Sequence, residues 1–336
     1  TQSRSSAASD VYKRQQLNAA IGGASNISAT GDVVVQATTG SRLITNQFAA
    51  AFGGYGVGVT VARSENEANV QAHIGATSIN AANVTAEAKD NADIDATGSA
   101  LAGGTLAAGV GADIIAKNGS TVVAGIGTGT RINASGALNV KSTSLSTVDA
   151  DALGIVAGSV AIGLSKATAQ TNTIVTTQIG DGASLTAAGS VTIAASGTST
   201  IGADSFSVAG GIAGVGGSSA TALDDYQINT SIGDAAVKST AGNLAIGASA
   251  VTTARANATG VTAGIVAGGS TDAFAGQQSG YTIAQTTIGG GANLQAAGTL
   301  SLAGTARKTQ AADVVSGGGG AGSFRSGEAN TRARSQ

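Results

Sequence analysis

Proline, cysteine, methionine and tryptophan are absent from this 336-residue chain, aromatic residues make up 3% of it, and charged residues only 11%. Each absence removes a class of protein. Without cysteine there is neither a disulfide scaffold nor a thiolate metal site. With a single histidine, His73, there is no imidazole pair for a metal and no obvious triad. The net charge is −2 and no stretch clusters Lys and Arg with stacking aromatics, which argues against nucleic acid as a partner. Long apolar runs are missing too: the nearest, Ala100 to Ala112, is mostly Gly and Ala and meets Asp113, so no membrane span is expected.

What the chain has is 52 glycines and an abundance of Ala, Ser, Thr and Val. Disorder requires low hydrophobicity and high net charge, whereas 42% of these residues are apolar and Val and Ile recur in alternating runs, so order is expected. Few large side chains cannot build one thick core. The apolar residues should instead line a thin, extended interior, for which small residues suit tight stacking.

Residues 1–15 stand apart. Ser5-Ser6-Ala7-Ala8-Ser9-Asp10-Val11-Tyr12-Lys13-Arg14-Gln15 shares nothing with the rest of the chain and resembles an in-frame translation of a sequencing-library adapter. The expectation is an adapter-derived segment or a disordered leader, with the repeat array occupying 16–325 and a frayed tail at 326–336.

The array is periodic. Ile-Gly pairs stand at Ile21-Gly22, Ile74-Gly75, Ile126-Gly127, Ile179-Gly180, Ile232-Gly233 and Ile288-Gly289, at spacings of 53, 52, 53, 53 and 56 residues. Five or six positions after each Ile comes another aliphatic residue, at Ile27, Ile79, Ile132, Leu185, Val237 and Leu294, which marks a short strand. Beyond it lie a Gly/Asn turn and an alternating run: Val33-x-Val35, Val84-x-Ala86, Leu138-x-Val140, Val191-x-Ile193, Leu244-x-Ile246, Leu300-x-Leu302. Period two places those side chains on one face. Next come Gly/Ala-rich stretches, such as Ala49 to Ala62 and Ala100 to Ala116, whose glycines imply bends or close backbone approach rather than helix. A last alternating strand, as in Tyr226-Gln-Ile228-Asn-Thr230 and Tyr281-Thr-Ile283-Ala-Gln285, returns to the next Ile-Gly.

A fixed period without three-to-four spacing predicts an all-β, parallel β-solenoid of six repeats of about 53 residues, each burying its apolar face on its neighbours. Equivalent residues should form ladders, for example Val35, Val140, Ile193, Ile246 and Leu302. The period leaves open whether a unit is one wide rung or two to three narrower ones. Glycine density and β-branched alternation count against a helical-hairpin repeat.

The run Ile-Gly-x-Gly-Ala-x-Leu-x-Ala-x-Gly-x-Val-x-Ile-Ala from Ile179 to Ala194 resembles the repeats of large bacterial filamentous adhesins, of the filamentous haemagglutinin-like and leukotoxin-family kinds. The likeness spans about residues 20–325. It implies a β-helix shaft at the bacterial cell surface or outside it, exported through an outer membrane with a secretion partner that lies outside this sequence.

The candidate chemical groups are sparse. His73 has no partner histidine or cysteine. Asp93-x-Asp95 and Asp149-x-Asp151 each put two carboxylates on one strand face, as a calcium site or an acid/base pair would, yet they fall 19 and 21 residues after one Ile and 23 and 25 after the next. A solvated acidic face is expected instead. Asp224-Asp225 reads as a turn. Gly317 to Gly320 lacks the Lys-Ser/Thr of a phosphate loop, and no calcium-loop repeat is present. Thr171 and Thr173 suggest an ice-binding ladder, but no Thr-x-Thr recurs at one offset. Asn26, Asn83, Asn118, Asn133, Asn229 and Asn257 begin glycosylation sequons, which an Asn/Ser/Thr-rich chain yields by chance.

No catalytic, metal or cofactor site is therefore assigned, and no small-molecule substrate is expected. The functional expectation is a structural and adhesive shaft that meets a glycan or protein on a host cell or matrix. The competing readings are a β-helical polysaccharide-degrading enzyme and a segment of a secreted toxin.

Overall fold

In the computed structural model, which describes residues 2–75, 77–277 and 282–332, every regular element is a strand and every pairing is parallel. Each repeat forms one wide rung of a β-solenoid. An ascending leg such as Leu244–Ala263 runs 20 residues, on the order of 65 Å at the usual rise per residue. The chain bends, comes back along a returning leg such as Ala213–Ile232, and turns into a short closing strand such as Ala236–Ser239. The legs form a twelve-stranded sheet and the closing strands a six-stranded one.

The aliphatic ladders track the repeat. Val35, Ala86, Val140, Ile193, Ile246 and Leu302 are consecutive register partners. So are Ile27, Ile79, Ile132, Leu185, Val237 and Leu294 in the closing sheet. The Ile of each Ile-Gly pair ends a returning leg with its side chain inward, and Ile74, Ile126, Ile179 and Ile232 are buried. The turns beyond use left-handed glycines at Gly129 and Gly182, with φ of 71° and 68°, which a Cβ would strain.

The Gly/Ala-rich stretches are the bends between legs. Glycine is required there by contact: a Cβ on Gly211 would stand 1.8 Å from the Gly158 carbonyl oxygen, and one on Gly104 2.1 Å from that of Ala107. The same crowding explains the composition. The legs lie so close that hydroxyls on one reach backbone carbonyls on the other: Ser142 Oγ donates to Thr176 O at 2.6 Å, Ser205 Oγ to Ser165 O at 2.9 Å and Thr230 Oγ1 to Gly247 O at 2.7 Å. Rings would not fit in most of this space, and Ala, Ser and Thr fill it to the density a protein interior requires.

Inward positions form two apolar cores. One, rich in Ile, Val and Leu, lies between the closing strands and the near ends of the legs; the other, mostly Ala with Ile94, Ile114, Val148 and Ile201, lies toward the bends.

The segment 2–15, set apart in composition, belongs to the strand Gln2–Ile21, in register with Tyr55–Ile74. Strand addition uses main-chain groups that any extended sequence offers, and the outward side chains add contacts: Arg14 Nη2 lies 2.7 Å from Glu67 Oε2, to which Tyr12 also donates. At the other end, Gly322–Arg332 is the exposed returning leg of the last rung. Tyr281, the expected start of a returning strand, lies outside the described residues.

Candidate functional site

Two polar constellations interrupt the regular pattern, one on the outer face and one in the interior. The outer one is an acidic ladder. Strand alternation turns Asp93, Asp95, Asp149, Asp151 and Asp204 outward from three successive ascending legs. Asp95 is the register partner of Asp149, and Asp151 that of Asp204. Counting from the Ile-Gly pairs places the two Asp-x-Asp motifs at different offsets, and the register agrees: Asp93 stands beside Thr147 and Asp151 beside Thr97, so the motifs are staggered by two residues and only Asp95 and Asp149 coincide. The segment from Ile126 to the ascending leg at Leu138 is two residues longer than that from Ile74 to Val84, which accounts for two of the four residues by which the counts differ and brings Asp95 beside Asp149.

Register neighbours stand about 4.8 Å apart, so these carboxylates repel one another. Burial among its neighbours, and then the charges of Asp151 and Asp95, push the Asp149 carboxyl up to about 6. Burial, Asp204 and Asp95 raise Asp151 as well. The ladder is capped at both ends: Arg42 Nε lies 3.3 Å from Asp93 Oδ2, and Asn257 donates to Asp204 Oδ1. Beside it runs a groove of about 400 Å³ lined by Leu153, Asp151, Asp204, Phe206, Asn257 and Thr259. Carboxylates and an amide beside a part-exposed ring offer hydrogen bonds to hydroxyl groups and a stacking face. Among the described residues no three His, Cys, Asp or Glu side chains converge as metal ligands.

The inner constellation is a polar seam between the two apolar cores. On the returning legs it comprises the column Asn66, Asn118, Thr171, Asp224 and, beside it, Ser120, Thr173 and Tyr226. On the ascending legs it comprises Thr39, Asp90 and Ser144 in one column and Ser146, Ser199, Thr252 and Lys308 in the next. Asn66 Nδ2 donates to Asn118 Oδ1 at 2.9 Å and to Ser120 Oγ at 3.1 Å; Ser120 Oγ donates to Asn118 Oδ1 and Asn118 Nδ2 to Ser146 Oγ, both at 2.9 Å. Tyr226 fills the space beside Gly197, the next position in the Asp90 column, and its hydroxyl donates to Ser144 O at 3.3 Å. Burial pushes that phenol far up and raises the Asp224 and Asp90 carboxyls, the last to about 6.

The remaining sequence candidates separate. His73 is half-buried on the outer face over its register partner Gly125. Asp224 and Asp225 do point to opposite faces, but in the middle of a strand rather than in a turn, because backbone pairing with Thr171 and Asn172 holds them extended. Thr171 and Thr173 are buried, so they present no face to ice. Gly317 to Gly320 runs into the last bend. Of the sequon asparagines, Asn118 is buried, while Asn83 donates to Asp32 Oδ1 at 2.7 Å and accepts from the Ala137 amide at 2.7 Å.

The seam is hard to read in the sequence because Ser, Thr and Asn occur at inward and outward positions alike; the one available signal is a charged residue in phase with aliphatic ladder positions, as Asp90 is with Val84, Ala86 and Ala88. No protein-family model matches the chain, and no curated protein or solved structure matches it.

Proposed function

We propose that this solenoid is the structural and adhesive shaft of a large secreted or surface-anchored bacterial exoprotein. The observation that carries the reading is the parallel stacking of six ascending legs between residues 33 and 319, in register along each leg, with register shifts at the bends after Gly53 and Gly104. Such a stack is stiff along its axis and repeats each surface position on every rung, which suits spacing a distal domain or making many weak contacts. The outer faces supply two kinds of contact: the acidic ladder with its Phe206 groove, and an apolar band on the returning legs that includes Val57, Ile162 and Val215, each at least 40% exposed. The ligand class this supports is a glycan or protein on a host cell or matrix.

A polysaccharide-degrading enzyme is the competing reading, and the adjacent carboxylates of Asp149, Asp151 and Asp204 are what favours it. An acid/base pair of that kind normally works in a cleft that holds the sugar ring, whereas these groups stand in one row along a sheet. Retention of the purified protein on an array of glycans, matrix proteins and host cells, with released products scored in the same wells, separates the two. The shaft predicts selective retention without cleavage; release of shortened glycans contradicts it.

A further inference from the structure

The two buried carboxylates of the seam differ in one respect. Asp224 has a counter-ion, with Lys308 Nζ 3.8 Å from its Oδ2. Asp90 is fully buried, and no described group makes a well-formed hydrogen bond to either of its oxygens; the Ser120 hydroxyl and the Asn91 amide lie near enough only to offset part of the cost of burial. The Ser120 hydroxyl donates to Asn118 Oδ1 at 2.9 Å. Lys13, the cation whose charge acts on Asp90, donates instead to Gly40 O at 3.2 Å, and no ion pair to Asp90 forms among the described residues. Two neutral oxygens of the same part of the seam are also without partners: Ser144 Oγ, on the register neighbour of Asp90, and Asn66 Oδ1, whose amide nitrogen bonds Ser120.

We propose that Asp90, with Ser144 and Asn66, forms an internal binding site for one small monovalent cation of the sodium class. A buried carboxylate without a hydrogen bond is costly unless something neutralises it. Water satisfies hydrogen bonds but leaves the charge. An all-oxygen donor set is hard and suits alkali and alkaline-earth ions. One carboxylate among neutral oxygens matches a single positive charge, whereas a divalent ion would leave an excess positive charge in the interior. The site is closed on one side by the Tyr226 ring and flanked along its column by Thr39. The charged and titratable groups facing it are Lys13 and Tyr226, with Asp224 and Lys308 farther along the axis.

The test is thermal unfolding of the whole chain at pH about 8, well above the carboxylate range, in sodium chloride and in N-methylglucamine chloride at equal ionic strength. A ligand that binds only the folded state raises its melting temperature. The wild type is expected to melt several degrees higher in sodium, and Asp90→Asn, which keeps the shape and removes the charge, is expected to melt alike in both salts. Equal melting of the wild type in the two salts overturns the proposal, as does an undiminished sodium response in Asp90→Asn or a response to calcium alone. Should Asp90→Asn not fold, the sodium NMR line width in the presence of the wild type decides. Broadening that an excess of lithium reverses supports the site; no broadening, or broadening that lithium leaves unchanged, overturns it.

Discussion

Lys308 Nζ and Asp224 Oδ2 meet 3.8 Å apart inside the solenoid, their side chains 9% and 1% exposed. They come from different legs and different rungs, so the pair ties the last ascending leg to a returning leg nearer the N-terminus. Breaking such a pair from one side leaves an uncompensated charge. Lys308→Met is expected to destabilise the fold by about 3 kcal/mol, and Asp224→Asn combined with Lys308→Met to recover most of that loss. Chemical denaturation of the two variants beside the wild type checks both.

Asp90 makes stability fall with rising pH. A carboxyl raised to about 6 in the folded state keeps its proton longer there than in the unfolded chain. Its contribution is therefore fully present below the unfolded value near 4 and lost as pH climbs through about 6. In buffers whose only cation is a bulky organic one, the loss is on the order of 2 to 3 kcal/mol between pH about 4 and 8. Asp149, Asp151 and Asp224 are raised too and act in the same direction. Denaturation midpoints across that range should fall for the wild type and fall less for Asp90→Asn.

The space beside Gly197 belongs to Tyr226. An added Cβ would stand 2.2 Å from the ring's Cε1, so Gly197→Ala should cost about 1 to 3 kcal/mol. Gly111→Ala, whose Cβ meets nothing within 4 Å, is the matched control and should be near neutral. Tyr226→Phe keeps the ring and loses the bond to Ser144 O, for about 1 kcal/mol. Urea denaturation of the three variants ranks them.

On the acidic ladder, removing a charge should help. Asp149→Asn is expected to stabilise by about 0.5 kcal/mol at neutral pH and low salt, and the gain should shrink as salt screens the row. Melting temperatures at two ionic strengths show whether the change is electrostatic.

The solenoid is legible in the sequence because apolar ladders repeat: Ile27 to Leu294 and Val35 to Leu302 are aligned by counting alone. The width of the rung is not. Nothing in the alternation distinguishes a leg of 20 residues from two shorter strands until the bend glycines, such as Gly158 and Gly211, are seen against one another. The acidic ladder is hidden by a two-residue difference in the turns, which moves every count from the Ile-Gly pair but leaves Asp95 beside Asp149. The polar seam is hidden because Ser144 and Thr173 look, in sequence, like the exposed Ser and Thr of the outer faces.

A stacked register puts each residue beside its counterpart about one repeat away, and thiol crosslinking tests this directly. The chain has no cysteine of its own, and Thr198 and Val251 are exposed register partners. Cysteines placed at both should form a disulfide readily under mild oxidation, whereas cysteines at Thr198 and Ala245, about 20 Å apart along the strands, should not. Crosslinking of the first pair alone is the predicted result; failure of the first pair, or equally fast crosslinking of the second, contradicts the stacked register.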